Sequence, residues 1–209
     1  MSICYIVGAA AFCAPFEPGE EDLVIAADAG LLHLRVRGIT PDLVVGDFDS
    51  LDKPPVGRNV SVYPVEKDDT DTMLAIKLGW ERGCRTFYLL AGTGGRTDHT
   101  LANLQALLWL ATRGGRGVLC GEEECFTALQ NDSLTFRPEA AGTLSVFAQN
   151  GTARGVTLTG TYYPLDNATL SEEFPLGVSN HFTGKAATVS VADGALLVYW
   201  SGTPADIAE

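Results

Sequence analysis

The 209-residue sequence is poor in basic residues. It has 14 lysines and arginines against 26 aspartates and glutamates, and its formal net charge is −12. A surface with this charge repels the phosphate backbone of nucleic acids, so no nucleic-acid partner is expected. An anionic small substrate would need a local device, such as a metal ion or a few placed arginines.

Long hydrophobic runs are missing as well. No apolar stretch reaches the roughly 20 residues that a membrane-spanning helix needs, so no membrane partner is expected. The apolar residues 1–7 carry neither a basic region nor a cleavage-site pattern, which favours a buried first strand over a signal peptide. With 46% hydrophobic residues, the chain can bury a core in one large domain or two small ones.

Several motifs of enzymes and metal sites are absent. The five cysteines are an odd number without metal-site spacing and include no CxxC pair, so free thiols in a reducing cytoplasm are expected. The sequence also lacks an HExxH motif, a Ser-His-Asp order and a P-loop. Few enzyme chemistries therefore remain open.

The pattern of predicted secondary structure differs between the two halves of the chain. Up to about residue 120, strands alternate with helices, which favours a parallel sheet covered on both faces. The strands are predicted at 3–8, 23–27, 43–45, 86–90 and 117–120, and the helices at 29–37, 70–82 and 97–112. Residues 52–62, marked by proline and glycine, are predicted to form a loop.

After residue 121, short β-type runs predict a small antiparallel β-sandwich or barrel. The runs are 125–129, 133–136, 143–147, 154–159, 187–191 and 195–200. Asn150-Gly151 falls between two of them and reads as a turn. The boundary is expected between residues 120 and 135, and we set it after residue 125.

Acidic residues follow the predicted strands at the points where each strand ends. Asp28 comes after one strand, Asp47 and Asp49 after another, and Asp71 near the start of a helix. Because ligands bind beyond the carboxyl ends of parallel strands, these carboxylates are expected to converge on one edge of the sheet.

Asp47-Phe48-Asp49-Ser50 is the segment that most specifically indicates a metal site. Alternate residues of an extended chain face the same way, so both carboxylates point to one side. Hard oxygen ligands in this arrangement suit Mg²⁺, which commonly binds one or two carboxylates together with substrate phosphates. The alternative is an acidic loop in which Asp49 or Ser50 caps a turn.

Lys67-Asp68-Asp69-Thr70-Asp71 precedes and opens a predicted helix, with Asp69 or Thr70 as its cap. Negative charge at a helix N-terminus has an ordinary explanation in the helix dipole. A lysine embedded among these acids is nevertheless well placed to hold a phosphate.

A glycine-rich turn, residues 92–96, leads from a strand into a helix. Its glycines let backbone N–H groups approach phosphate oxygens, and Arg96 adds a bidentate donor. Asp98 is suited either to cap the helix or to hold Arg96. His99 and Asn103 lie one helical turn apart on the same face, and an ordinary packing or capping role is favoured for His99. Together these segments predict a metal-and-phosphate site for phosphoryl-type transfer.

Ordered segments along nearly the whole chain resemble the signature of thiamine pyrophosphokinases. They are DAG at 28–30, GITPDLVVGDFDS at 38–50, KDDTDT at 67–72, GGRTDH at 94–99 with Asn103, and LGVSNHF at 176–182. The resemblance implies a Rossmann-like ATP-binding domain over residues 1–125 and a β-sandwich over 126–209 that binds thiamine and forms a homodimer. It also implies Mg²⁺ as cofactor and transfer of pyrophosphate from ATP to thiamine, with thiamine bound between two subunits.

Carried over by motif, the resemblance implies three groups of site residues. The metal and catalytic group is Asp28, Asp47, Asp49 and Asp71, of which the last three are the catalytic residues. The nucleotide and phosphate group is Lys67, Asp68, Thr70, Gly95, Arg96 and Asp98. The thiamine group is Asp28, Ser50, Ser179 and Asn180, the last two from the partner subunit.

Two other functions remain open from the residues. One is a Mg²⁺-dependent nucleotide transferase that acts on another alcohol, and the other is a non-catalytic module that senses a nucleotide or thiamine. The late Ser179-Asn180 segment argues for thiamine, and the full set of carboxylates argues for catalysis. His181 stands where many bacterial members of the family have Glu, and it receives no role. Trp200 on a terminal strand is expected in the core.

Overall fold

The computed structural model describes residues 2–11, 16–47, 57, 60–62 and 68–208. The chain is mixed α/β and divides into two compact units. The first comprises Met1–Ala106 and Leu119–Glu122, and the second comprises Leu107–Val118 and Glu123–Glu209.

The chain up to residue 120 alternates strands and helices, as the sequence predicts. The strands are β1 (Ile3–Val7), β2 (Leu23–Ala27), β3 (Leu43–Gly46), β4 (Val60–Val62), β5 (Thr86–Leu90) and β6 (Arg116–Cys120). The helices are α1 (Gly30–Val36), α2 (Asp71–Glu81) and α3 (Thr97–Ala111). Strand β4 corrects the predicted loop at 52–62, because Val60–Val62 pairs with β3.

Strand β1 lies in the middle of a parallel arrangement. The order of the strands is β4-β3-β2-β1-β5, and every neighbouring pair is parallel. Going outward from β1, the chain adds β2, β3 and β4 on one side and then returns to place β5 on the other. The order therefore reverses at β1, which makes the carboxyl ends of β1 and β5 a topological switch point.

The helices are fixed by caps and by close packing on the strands. Thr70 is the N-cap of α2, and its hydroxyl oxygen accepts a hydrogen bond from the Met73 N–H at 3.1 Å. Gly79 lets α2 approach the sheet, because a Cβ there would lie 2.7 Å from Cys4 Sγ. No helix within the described residues is long and apolar enough to cross a membrane.

The second unit is built from antiparallel strands. They are β7 (Glu124–Gln130), β8 (Ser133–Phe136), β9 (Thr143–Thr159), β10 (Leu165–Ser171), β11 (Asn180–His181), β12 (Ala187–Ser190) and β13 (Asp193–Ser201). The order is β7-β13-β9-β12-β8, with β10 and β11 paired to β9, and all of these pairs are antiparallel.

Strand β9 corrects the predicted turn at Asn150-Gly151. These residues have positive φ values of 58° and 106°, as a turn would, but the strand continues through them. The first part of β9 pairs with β13, and the later part pairs with β12 and β10. The left-handed residues thus bend one strand between two sets of partners. Strand β10 was not predicted.

Aromatic side chains form the centre of the second unit. Trp200 and Phe136 are fully buried, and their rings meet edge to face with centroids 5.3 Å apart. Trp200 Nε1 donates to the Thr203 carbonyl at 3.1 Å. The predicted core position of Trp200 is confirmed. The four cysteines in the described residues, Cys4, Cys84, Cys120 and Cys125, are buried thiols and not disulfides.

Candidate active site

A cleft of about 290 Å³ opens in the first unit at the carboxyl ends of β1, β2 and β5. Its walls include residues 8–10 after β1, Asp28 after β2, residues 91–92 after β5, and Arg96, His99 and Asn103 at the start of α3. The cleft therefore lies at the switch point, where an open parallel sheet binds its ligands.

Asp28 and Asp47 leave neighbouring strands at this edge. Asp28 has a positive φ of 50°, and its N–H donates to the Val45 carbonyl at 2.8 Å. In the parallel register Ala27 lies opposite Val45, so Asp28 is level with Gly46 and one residue short of Asp47. Both aspartates are half-buried, and Asp28 Oδ1 is shielded from solvent. Asp28 and Asp47 therefore follow the ends of two neighbouring parallel strands.

The remaining predicted metal ligands are described only in part. Asp71 lies in the first turn of α2, beside Thr72, which lines the cleft. Asp49 lies outside the described residues. Within the ranges that the structure describes, no group of three or more His, Cys, Asp or Glu side chains is arranged to hold a metal ion. The four-carboxylate Mg²⁺ site stays a prediction.

The acidic segment before α2 has ordinary partners in the described residues. Asp69 accepts hydrogen bonds from Lys77 Nζ at 2.7 and 2.8 Å. Thr70 caps the helix, and Asp68 is exposed. Lys67 and Ser50, predicted for the phosphate and thiamine sides, lie outside the described residues.

Arg96 and Asp98 form a two-point ion pair at the mouth of the cleft. Arg96 Nε donates to Asp98 Oδ1 at 3.1 Å, and its Nη2 donates to Oδ2 at 2.6 Å. The hydrogen bond from Arg96 lowers the pKa of the Asp98 carboxyl, and the same bond raises the pKa of the guanidinium. Asp98 also accepts the His99 N–H at 3.0 Å, so it both holds Arg96 and bonds the start of α3.

The glycine-rich turn projects from this wall. Gly94 has a positive φ of 78°, and residues 94–99 are all exposed. A Cβ on Gly95 would meet only Ala10 Cβ at 3.5 Å, an ordinary contact. His99 is exposed beside the cleft rather than packed. Exposed backbone and an arginine at a helix start are a suitable arrangement for binding phosphate.

Ser179 and Asn180 lie in the second unit, next to an apolar hollow of about 220 Å³ bordered by Tyr163, Leu176 and Asn180. Ser179 is exposed with a positive φ of 62°, and its N–H donates to the buried Ser145 hydroxyl at 3.1 Å. Asn180 is 4% exposed, and its amide bonds both the N–H and the carbonyl of Tyr163, at 2.9 and 2.7 Å. The Asn180 side chain thus fixes the wall of the hollow.

Two family models match the chain in succession. The thiamin pyrophosphokinase catalytic domain matches residues 19–118, and the thiamin pyrophosphokinase vitamin B1 binding domain matches residues 133–196. Thiamine pyrophosphokinase of Bacillus subtilis is 31% identical over 193 residues, which cover 86% of this chain and 87% of that relative. The chain belongs to the thiamin pyrophosphokinase family.

Solved structures of the thiamin pyrophosphokinase family have the same fold. The crystal structure of thiamine pyrophosphokinase from Bacillus subtilis has a TM-score of 0.84 at 25% identity, covering 97% of this chain and 99% of that one. The enzyme from Geobacillus thermodenitrificans has a TM-score of 0.81 at 29% identity, with coverage of 98% and 99%. These matches favour neither another nucleotide transferase nor a non-catalytic module.

The family match encloses the predicted site, but the structure adds residues that sequence reasoning missed. The catalytic-domain match contains the site residues from Asp28 to Asp98, and the vitamin B1 match contains Ser179 and Asn180. Gly8, Ala9 and Ala10 line the cleft and carry no polar side chain that could have marked them. The available signal was positional, since Gly8 directly follows the first apolar strand.

Proposed function

We propose that this chain transfers the pyrophosphoryl group of ATP to thiamine. The thiamine hydroxyl oxygen bonds to the β-phosphorus, the bond from that phosphorus to the α–β bridging oxygen breaks, and the hydroxyl proton is released. The products are thiamine diphosphate and AMP. The observation that carries the proposal is the ordered match to both domains of one enzyme family.

The ATP side of the proposed reaction is the cleft in the first unit. Gly95 and Arg96 stand exposed at its mouth, and the Arg96–Asp98 pair uses two of the five guanidinium N–H groups. The others suit phosphate oxygens. Lys67, Asp68 and Thr70 complete the proposed nucleotide side, with Lys67 as a further cation.

Mg²⁺ is the proposed cofactor, held by Asp28, Asp47, Asp49 and Asp71. The hard carboxylate oxygens suit this ion, and two of the donors leave adjacent parallel strands. When bound, Mg²⁺ neutralises the charge of the transferring phosphates. Asp28, Asp47, Asp49 and Asp71 also position the thiamine hydroxyl, and Asp28 and Ser50 are assigned to substrate binding.

The thiamine side is assigned to residues 126–209 as a β-sandwich, with residues 1–125 as the Rossmann-like ATP-binding domain. Ser179 and Asn180 contact thiamine from the partner subunit of a homodimer. The apolar hollow beside Asn180 supports this assignment, since thiamine carries two aromatic rings. The buried, undisulfided cysteines of the described residues support a reducing cytoplasm as the location.

The test is direct. Purified protein is incubated with ATP, Mg²⁺ and thiamine, and both AMP and thiamine diphosphate are followed. We expect equal amounts of the two products, and their absence under varied metal and nucleotide conditions would overturn the proposal. AMP formation with another alcohol but not with thiamine would favour a different transferase. ATP or thiamine binding without turnover would favour a sensing module.

An Asp49→Asn variant tests the metal role. We expect it to stay folded and to lose turnover, because one neutral oxygen replaces a charged ligand. Asp166→Asn, an exposed substitution on β10, is the matched control and should keep full activity. Near-normal turnover of Asp49→Asn would contradict the assignment.

A further inference from the structure

Three consecutive backbone carbonyls accept hydrogen bonds where the chain leaves β5. The Leu90 carbonyl accepts the Gly8 N–H at 2.8 Å, and the Ala91 carbonyl accepts the Ala10 N–H at 3.0 Å. The Gly92 carbonyl accepts a hydrogen bond from Asn103 Nδ2 at 2.9 Å. The donors of the first two hydrogen bonds are backbone N–H groups after β1, and the donor of the third is a side chain of α3.

The surroundings leave little freedom at this point. Asn103 is 6% exposed, and Ala91 is 1% exposed with a positive φ of 54°. A Cβ on Gly92 would lie 3.0 Å from Asn103 Nδ2 and 2.6 Å from Leu119 Cδ1. Because a carbonyl only accepts hydrogen bonds, the amide nitrogen of Asn103 must face it. The contact is thus specified by space and by chemistry.

The exposed turn begins two residues after Gly92, beyond the buried Thr93. Gly94, Gly95 and Arg96 are exposed, and the Arg96 carbonyl accepts the Thr100 N–H at 3.2 Å. The turn is therefore anchored by Asn103 at one end and by the first turn of α3 at the other. The hydrogen bond of the Asn103 amide is to the Gly92 carbonyl, so Asn103 acts on the turn through the backbone.

We infer that Asn103 is a positioning residue for the nucleotide: its amide holds the Gly92 carbonyl and so sets where the turn presents Arg96 to the phosphates. The inference rests on the proposed function, because it assigns the turn to ATP. Without the hydrogen bond to its carbonyl, Gly92 could adopt several orientations. The turn would then hold Arg96 in position to bind the phosphates for a smaller fraction of the time. Losing this hydrogen bond should therefore weaken ATP binding and leave thiamine binding unchanged.

Asn103→Leu tests this inference, since it keeps the branching of the side chain and removes the donor. We expect the KM for ATP to rise about tenfold, the factor that matches the net value of one hydrogen bond, with the KM for thiamine unchanged. Gln105→Leu is the matched control, because Gln105 is exposed on the same helix and lies outside the cleft. It should behave like the unmodified protein.

A double-mutant cycle with Arg96→Ala separates positioning from general packing. If Asn103 acts through Arg96, Asn103→Leu should lower kcat/KM by less than about twofold in the Arg96→Ala background. An equal loss in both backgrounds would overturn the inference. So would an unchanged KM for ATP, or a loss that merely follows the folded fraction measured by circular dichroism.

Two further measurements keep the test decisive. If Asn103→Leu does not fold, the same cycle is run with Asn103→Ala. If the unmodified protein makes no thiamine diphosphate, the proposed function fails, and the Kd for Mg–ATP, measured by calorimetry, judges the inference separately. A Kd that is unchanged by both Asn103 substitutions would then overturn it.

Discussion

In the Arg96–Asp98 pair, the pKa of the Asp98 carboxyl depends on its contact with Arg96. Its hydrogen bonds lower the pKa of the Asp98 carboxyl in the folded chain. A lowered folded-state pKa means that this contribution to stability is present above the unfolded value of about 3.9 and is lost as the pH falls through the folded value. The pair therefore persists over the neutral and mildly acidic range.

Removing the arginine should reverse this shift. In Arg96→Ala, we expect the pKa of Asp98 to rise toward its usual value, because the hydrogen bond from Arg96, the main cause of the lowered pKa, is removed. Carboxyl ¹³C NMR titration of both proteins measures the change. Arg154→Ala is the control, since it breaks a similarly exposed pair with Asp193 in the second unit and should leave Asp98 unaffected. An Asp98 titration identical in Arg96→Ala and the parent would contradict the prediction.

Single residues also show where sequence reasoning reaches its limit. Arg96 and Asp98 could be paired in advance, because they are two residues apart in a turn and have complementary charge. The hydrogen bonds between Asn180 and Tyr163 could not, since they span 17 residues and depend on how the segment at Tyr163 folds against β11. Local chemistry was readable from the sequence, whereas contacts made by the tertiary fold were not.

Among the secondary-structure elements, α1 makes one of the tightest approaches to the sheet. A Cβ on Gly30 would lie 1.9 Å from the Val7 carbonyl oxygen and 2.6 Å from its carbon. Both are backbone atoms of β1 and cannot rotate away. The glycine at the start of α1 therefore determines how closely the helix lies against the strand that borders the cleft.

Gly30→Ala should destabilise the first unit by about 2 kcal/mol or more, within the range of an overpacked core. Denaturant unfolding followed by fluorescence measures the change as a lower midpoint. Gly19→Ala is the matched control, because its Cβ would meet Asp22 Oδ2 at 3.4 Å, an ordinary contact. We expect the control to change stability by less than about 0.5 kcal/mol. Equal midpoints for both variants would refute the argument.

Most elements of the first unit were predictable because apolar runs mark its strands and a glycine follows each of its helices, whereas β4 was predicted as loop. The second unit was harder to predict at the level of elements. Asn150-Gly151 has the residues of a tight turn, and its backbone takes left-handed angles, yet β9 continues because partners are available on both sides of the bend. A local signal specified the conformation of two residues correctly but did not specify whether the strand ended there.

At the scale of the whole molecule, the sequence order of the motifs carried the most information. The acidic segments and the glycine-rich turn, placed at strand ends, predicted a metal-and-phosphate site, and the acceptor thiamine came from the family signature. The position of the cleft follows from topology, since β1 lies between β2 and β5. The proposed function adds one feature that topology does not give, a site in which Ser179 of one protomer meets the cleft of the other.

The proposed homodimer makes a prediction about that cooperation. If each site combines the acidic rim of one protomer with Ser179 of its partner, two different inactive variants should complement each other. Asp71→Asn removes a proposed ligand, and Ser179→Arg places a bulky cation at an exposed position against the cationic thiamine. Light scattering should first give a mass of about twice 22.2 kDa for each variant.

Equimolar variants are then dissociated, mixed and reassociated. Half of the dimers should be mixed, and each mixed dimer has one intact and one doubly altered site, so activity should return to about one quarter of the unmodified level. If each site belongs to a single protomer, no dimer contains an intact site and the mixture stays as inactive as its parents. A mixture of Asp71→Asn with itself, treated identically, controls for recovery caused by refolding alone.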